Sequence, residues 1–137
     1  DFSSRLGYTL VLKHDYQQFS DDEKTDRRDS LDATDWRSKV NAGVTWNIGP
    51  WTSNVVALRY GSLPNSDGSG RIAPYTRYNG SVSYRFNERG SIAFIVNNLR
   101  DSKPPADRSG GGWPFYPVGN YDPYGRQFWL ELDYRFR

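Results

Sequence analysis

The sequence predicts an all-β chain of six antiparallel strands that cross a membrane as part of a β-barrel. Three observations predict it. Apolar and polar residues alternate at period two in six separate stretches, the mark of strands whose two faces meet different surroundings. Two of the joints between them are tight and three are long, in alternation, as in outer-membrane barrels with short turns on one side and long loops on the other. Aromatic residues make up 16% of the chain and gather near strand ends, like the aromatic belts of membrane–water interfaces. A water-soluble antiparallel sheet with its oily faces packed together shares the first feature but gives no reason for the loop asymmetry.

The first strand is expected over 5–19, where Leu6, Tyr8, Leu10 and Leu12 share a face and Arg5, Thr9 and Lys13 lie opposite. The second, 36–46, sets Val40, Ala42, Val44 and Trp46 against Lys39, Asn41 and Thr45. In the third, 51–60, Val56, Leu58 and Tyr60 read as the oily side and Ser53 and Arg59 as the other, with Asn54 out of phase. The fourth, 78–86, carries Tyr78, Val82, Tyr84 and Phe86 on one face. The fifth, 91–99, carries Ile92, Phe94 and Val96. In the last, 125–136, Phe128, Leu130, Leu132, Tyr134 and Phe136 alternate with Trp129, Glu131, Asp133 and Arg135. The tight joints "NIGP" (47–50) and "NERG" (87–90) place Asn and Gly in turn positions. The long joints are 20–35, 61–77 and 101–124.

Composition narrows the function classes. With 137 residues the chain is one ordinary domain, 1–137. Its 18 basic and 16 acidic side chains leave a net charge of +2 and no basic stripe, so no nucleic acid partner is expected. Without cysteine it holds neither a disulfide framework nor a thiolate metal site. No apolar run reaches the length of a membrane helix. The chain starts at Asp1 with no signal-like apolar core, which suggests a processed or excised piece of something longer.

No catalytic constellation appears, so an enzyme is not expected. His14 is the single histidine and reads as a loop or interfacial residue. The acidic run Asp21, Asp22, Glu23, Asp26, Asp29, Asp32 and Asp35 is interrupted by Lys24, Arg27 and Arg28. It lacks the ligand spacing of a calcium loop, so a solvated loop is expected and no metal site. "GSGR" (68–71) is too poor in glycine for a phosphate loop. No cofactor is expected.

The closing residues carry a resemblance. Phe128, Leu130, Leu132, Tyr134 and Phe136 resemble the C-terminal signal of outer-membrane barrel proteins, which the barrel assembly machinery reads; here Arg137 follows the usual terminal aromatic. "FIVNNLRD", then a proline- and aromatic-rich loop, then "YGRQFWLELDYRF", resembles the C-terminal part of TonB-dependent outer-membrane receptors. Asn98, Leu99, Asp101, Gly125 and Arg126 match that pattern, while Arg100 stands where Phe is common. The likeness is clearest over 78–136.

The resemblance implies the last six strands of a 22-stranded barrel whose N-terminal plug lies outside this chain. It implies outer-membrane lipid and the TonB complex as partners, the latter through the missing N-terminal part. It also implies a cell outer membrane location in a Gram-negative bacterium, and a small-molecule ligand, a siderophore or a carbohydrate. A passive barrel or porin piece and a soluble sheet module are the alternatives. In the receptor reading, Arg59, Arg85, Arg126 and Arg135 point into the lumen toward the plug. The candidate ligand loop, 110–126, concentrates Trp113, Phe115, Tyr116, Tyr121 and Tyr124, whose faces suit sugars or planar chelates. Equally, its prolines suit a rigid, self-packed loop. Arg71 and Tyr75 are the next candidates.

Overall fold

The structure, a computed structural model, describes residues 1–28, 36–110 and 112–136. Asp29, Asp32, Asp35, Gly111 and Arg137 of the sequence reading lie outside those residues. Six long strands form one antiparallel sheet in the order β1 (Phe2–Leu10), β4 (Ser38–Ile48), β5 (Trp51–Tyr60), β8 (Tyr75–Arg85), β9 (Gly90–Asn97) and β10 (Gln127–Tyr134). Two short hairpins stand apart from it: β2 (Asp15–Tyr16) with β3 (Thr25–Asp26), and β6 (Leu63–Pro64) with β7 (Arg71–Ile72). Each long strand pairs with the next in sequence, so the three long joints share one end of the sheet and the two tight turns share the other.

The turns set the register. Ile48 pairs with Trp51 across Gly49 and Pro50. Gly49 takes φ 52° and proline holds φ negative, the combination a two-residue II′ hairpin loop needs. From that pairing every residue of β5 acquires its side. Val44 faces Val55, Ala42 faces Ala57 and Val40 faces Arg59; on the next strand Val55 faces Gly80 and Ala57 faces Tyr78. The expected sides of the third strand are therefore reversed. Val56, Leu58 and Tyr60 share the polar face with Asn41 and Lys39, and Arg59 stands on the apolar one. The adjacent valines 55 and 56 make the alternation readable in either phase, and a shift of one residue swaps every side chain.

The first strand also differs from its expected span. It stops at Leu10, opposite Ser38, and the last bond in line is Val11 N–H to the Arg37 carbonyl at 2.9 Å. Leu12 continues the alternation, but β4 offers no partner beyond Ser38. At the other end the strand begins at Phe2, because β4 runs on to Ile48 and gives Phe2 a partner in Trp46. The last strand runs 127–134, inside the expected 125–136. Phe136 lies just past it, its ring edge-on to Tyr134 at 5.0 Å.

The matching residues of the penultimate strand have structural tasks. Asn98 is fully buried with φ 56°. Its side-chain amide donates to the Ser102 carbonyl at 3.0 Å and accepts from Ser102 N–H at 2.9 Å, closing the turn after β9. Leu99 covers the spot where Gly80 has no side chain. Asp101 accepts from Arg126 N–H at 2.8 Å, which fixes the entry to β10. A Cβ at residue 125 would lie 2.7 Å from that carboxylate oxygen, so glycine there leaves the acceptor room.

The two faces differ sharply. On the polar one, neighbouring strands are cross-linked by side-chain hydrogen bonds: Asn54 donates to Thr45 and Thr52 donates to Asn47, both at 2.7 Å. On the apolar one, most side chains are open among the described residues, with Leu99 over Gly80 a local exception: Leu6 is 76% exposed and Leu130 72%. Both outer strands are open edges. The isolated chain is therefore expected to aggregate in water or to require detergent. Size-exclusion chromatography with and without detergent checks this, and a monodisperse soluble monomer would contradict it.

Candidate functional site

At the long-loop end a small core forms on the polar side of the sheet. Tyr60 and Tyr75 are cross-strand partners on that face, with near-parallel rings 6.4 Å apart. Trp36, entering β4, packs on Tyr60 at 4.4 Å. Leu63 and Ile72, paired in the β6–β7 hairpin, complete the buried cluster with Tyr121 from the last loop. Tyr121 meets Trp36 edge-on at 5.7 Å and Tyr75 at 5.6 Å. Segments far apart in sequence thus share one apolar centre, and the alternate arrangement of aromatic rings favours edge contacts.

Polar latches hold the loops to each other. Asp107 accepts from Ser66 Oγ and backbone N–H, joining the last long loop to the one before it, and from the Ser109 hydroxyl at 2.6 Å. Those bonds, Ser109's first and then Ser66's, hold its carboxyl well below the usual carboxylate range. Arg77 pairs with Asp122 at 2.7 Å. Burial opposes ionisation of Asp122, yet the Tyr124 N–H and Arg77 outweigh it and keep the pKa low. The Tyr75 hydroxyl donates to the Ser102 carbonyl at 3.0 Å.

Beside this core lies a cavity of about 280 Å³. Its walls are Pro104, Pro114 and Pro123 with the rings of Tyr116 and Tyr124, and Asp101 and Lys103 supply charge. Rigid apolar walls with a few polar groups suit a small ligand, although the volume sits at the lower end for such sites.

The seven candidate ligand residues therefore separate. Tyr116 and Tyr124 line the cavity together. Tyr75 and Tyr121 are buried, at 7% and 4% exposure, inside the loop core, and burial raises the Tyr121 phenol's pKa. Trp113 is 87% exposed, outside the cavity walls. Phe115, with φ 62°, is exposed beneath the Arg108 guanidinium at 6.0 Å. Arg71 is engaged within its own hairpin, donating to the Ser62 hydroxyl and carbonyl at 2.9 and 3.0 Å. Sequence reasoning missed Lys103 and Pro104 in the walls and Trp36, Leu63 and Ile72 in the core. The run of prolines after Lys103 was the available signal for a stiff wall.

Of the four arginines, Arg85 keeps the polar side, paired in register with Ser91. With Arg89, Arg135, Glu88 and Asp133 it lines a cavity of about 590 Å³ at the short-turn end. Arg126 precedes β10, and its backbone N–H serves Asp101. Arg59 is on the opposite side, as its register with Val40 requires. In the acidic run, Asp26 pairs with Arg28, whose hydrogen bonds lower its pKa to about 2. Among the described residues no group of three or more His, Cys, Asp or Glu could hold a metal ion.

Comparison with known proteins adds the following. A family model described as "TonB dependent receptor-like, beta-barrel" matches residues 1–99. No curated protein sequence matches. Among solved structures the chain is similar to "Copper transporter OprC", with a TM-score of 0.50 and 18% sequence identity over 72% of this chain. The chain spans 17% of that protein's length, and the likeness is one of fold.

Proposed function

The chain belongs to the TonB-dependent receptor-like β-barrel family, and from that premise we propose that it is the C-terminal wall of a receptor for active uptake of a small ligand across the outer membrane. In this reading its six strands continue into a 22-stranded barrel through the open edge of β1, and a plug and the TonB-contacting segment belong to the N-terminal remainder. The apolar face meets lipid, the polar face meets the lumen, and Arg85 and Arg135 meet the plug. The alternating side chains from Phe128 to Phe136 offer the barrel assembly machinery its signal.

One observation carries the reading: a six-stranded sheet with one predominantly apolar, largely uncovered face, and with all three long loops at one end. Lipid satisfies that face, and barrel closure satisfies the edges. The loops then lie outside the cell, where the cavity between Tyr116 and Tyr124 receives the ligand. Its walls favour a ring: a sugar, or the planar chelating group of a siderophore. The OprC likeness contributes the fold and not its cargo.

Tyr116→Ala and Tyr124→Ala in the full-length receptor are each expected to weaken ligand binding by about 1 kcal/mol, the scale of one aromatic stack. Candidate fluorescent siderophores and oligosaccharides are titrated onto whole cells, with surface receptor quantified in parallel. Unchanged affinity in the double variant, for a ligand the wild type takes up, would remove the cavity from the transport route.

A further inference from the structure

Arg59 breaks the composition of its face. Among the strand positions that share its side, from Phe2 in β1 to Tyr134 in β10, every other residue is uncharged. The side chain is exposed, and among the described residues it makes no ion pair or hydrogen bond. It stands one position before the end of β5, on the long-loop side. Its cross-strand partner is Thr76, and the next position of β8 on that face is Tyr78. A second arginine reaches Tyr78 on the same face: the Arg100 guanidinium lies over its ring, 5.7 Å from its centre. Arg100 is exposed as well.

The other rim of the face is built differently. Trp46, Ile48, Trp51, Tyr84 and Tyr134 gather near the short turns, and no cation shares their side within the strands. Aromatic belts suit either membrane interface, so they do not explain why the one charged strand position of this face lies at the long-loop rim. An arginine facing lipid is costly at the midplane and nearly free at an interface, because its apolar stem stays in the hydrocarbon while the guanidinium reaches the headgroups. There its planar fork matches a phosphate with two parallel hydrogen bonds.

We propose that Arg59 and Arg100, flanking Tyr78, form a site on the barrel's outer surface for the phosphate of an anionic lipid headgroup in the outer leaflet. The site rests on the receptor reading, which sets the long loops outside. Arg59 holds one side of the phosphate and Arg100 the other. Tyr78 keeps Arg100 in position by its π-face and lies against the acyl chains below.

The test uses the full-length receptor in bilayers of phosphatidylcholine alone and of phosphatidylcholine with phosphatidylglycerol in equal parts. Lipid retained through a mild detergent wash is quantified by mass spectrometry. Arg59→Gln and Arg100→Gln are each expected to lower phosphatidylglycerol retention about fivefold, the scale of one surface arginine on anionic lipid. Phosphatidylcholine retention stays unchanged, as does phosphatidylglycerol retention in Arg5→Gln on the polar face. Excess inorganic phosphate does not displace the lipid, because the acyl chains contribute to binding. Equal phosphatidylglycerol retention in wild type and the double variant overturns the site, and so does full displacement by free phosphate. Arg59→Lys and Arg100→Lys keep the charge and lose the fork, so intermediate retention is expected if the glutamine variants assemble poorly. Heat-modifiable gel mobility is read in every sample: a wild type that never forms a barrel defeats the receptor reading, whereas a normal barrel without lipid preference defeats this site alone.

Discussion

Leu130→Arg in the full-length receptor is expected to cost about 2–4 kcal/mol of barrel stability, the scale of a lipid-facing charge near the bilayer midplane. Glu131→Arg, one residue along, is expected to assemble almost normally. Leu130 lies midway along β10, opposite Phe94, and Phe94 in turn faces Val82. None of those three side chains can receive a guanidinium, and the nearest end of the strand lies half its length away. Glu131 is opposite Ala93 on the polar side, where an arginine meets water or the barrel interior. The folded fraction in outer-membrane preparations, read from heat-modifiable gel mobility, checks the pair. Equal assembly of both variants would mean that the face between Phe128 and Tyr134 does not meet lipid.

Most of the sheet was legible because its chemistry repeats. In β4, β8, β9 and β10 one phase carries most of the apolar residues, although Tyr75, Ile95 and Trp129 stand on the other, and the register joins those phases into one face. The third long strand failed for a local reason. Its two phases are Trp51, Ser53, Val55, Ala57 and Arg59 against Thr52, Asn54, Val56, Leu58 and Tyr60, and simple counting favours neither. Counting forward from the two-residue turn at Gly49 and Pro50 settles the phase, since Ile48 must face Trp51. That phase puts Arg59 on the apolar side of the sheet.

The loops were legible in composition and not in arrangement. Ring-rich segments announce aromatic contacts, but the sequence does not say whether a ring stacks on a ligand or on another ring. Tyr121 and Tyr116 lie within one loop, yet one is buried against Trp36 and Tyr75 while the other lines the cavity. Their difference depends on contacts across more than eighty residues of sequence, which no local pattern encodes. The stretch from Asn98 to Asp101 was recognisable as a motif before its tasks were visible: it closes the turn after β9 and caps the start of β10.

Trp36→Ala is the second large effect expected, about 3–5 kcal/mol, as for other buried aromatic truncations. The loss falls on the loops and leaves the six-stranded sheet intact, because the loop core is a satellite cluster at its end. Trp36 is its keystone: it packs on Tyr60 at 4.4 Å and on Tyr121 at 5.7 Å, with the Lys39 ammonium 5.3 Å from its ring. Without the indole, Tyr121 loses one of the two rings that seat it, and Tyr121 in turn supports Tyr116 at 6.5 Å. The cavity wall therefore loosens at a distance from the substitution, and ligand affinity falls along with loop order. Hydrogen exchange in the intact receptor separates local from global opening. Backbone protection at Leu63, Ile72 and Tyr121 is expected to drop steeply in Trp36→Ala, while protection in the middle of β5 and β9 holds. Tyr121→Phe keeps the ring and removes only the hydroxyl, so it should preserve most of the loop protection. If Trp36→Ala left the loops as protected as in the wild type, the aromatic cluster would not be what anchors them, and the latches at Asp107 and at Arg77 with Asp122 would have to hold the cavity by themselves.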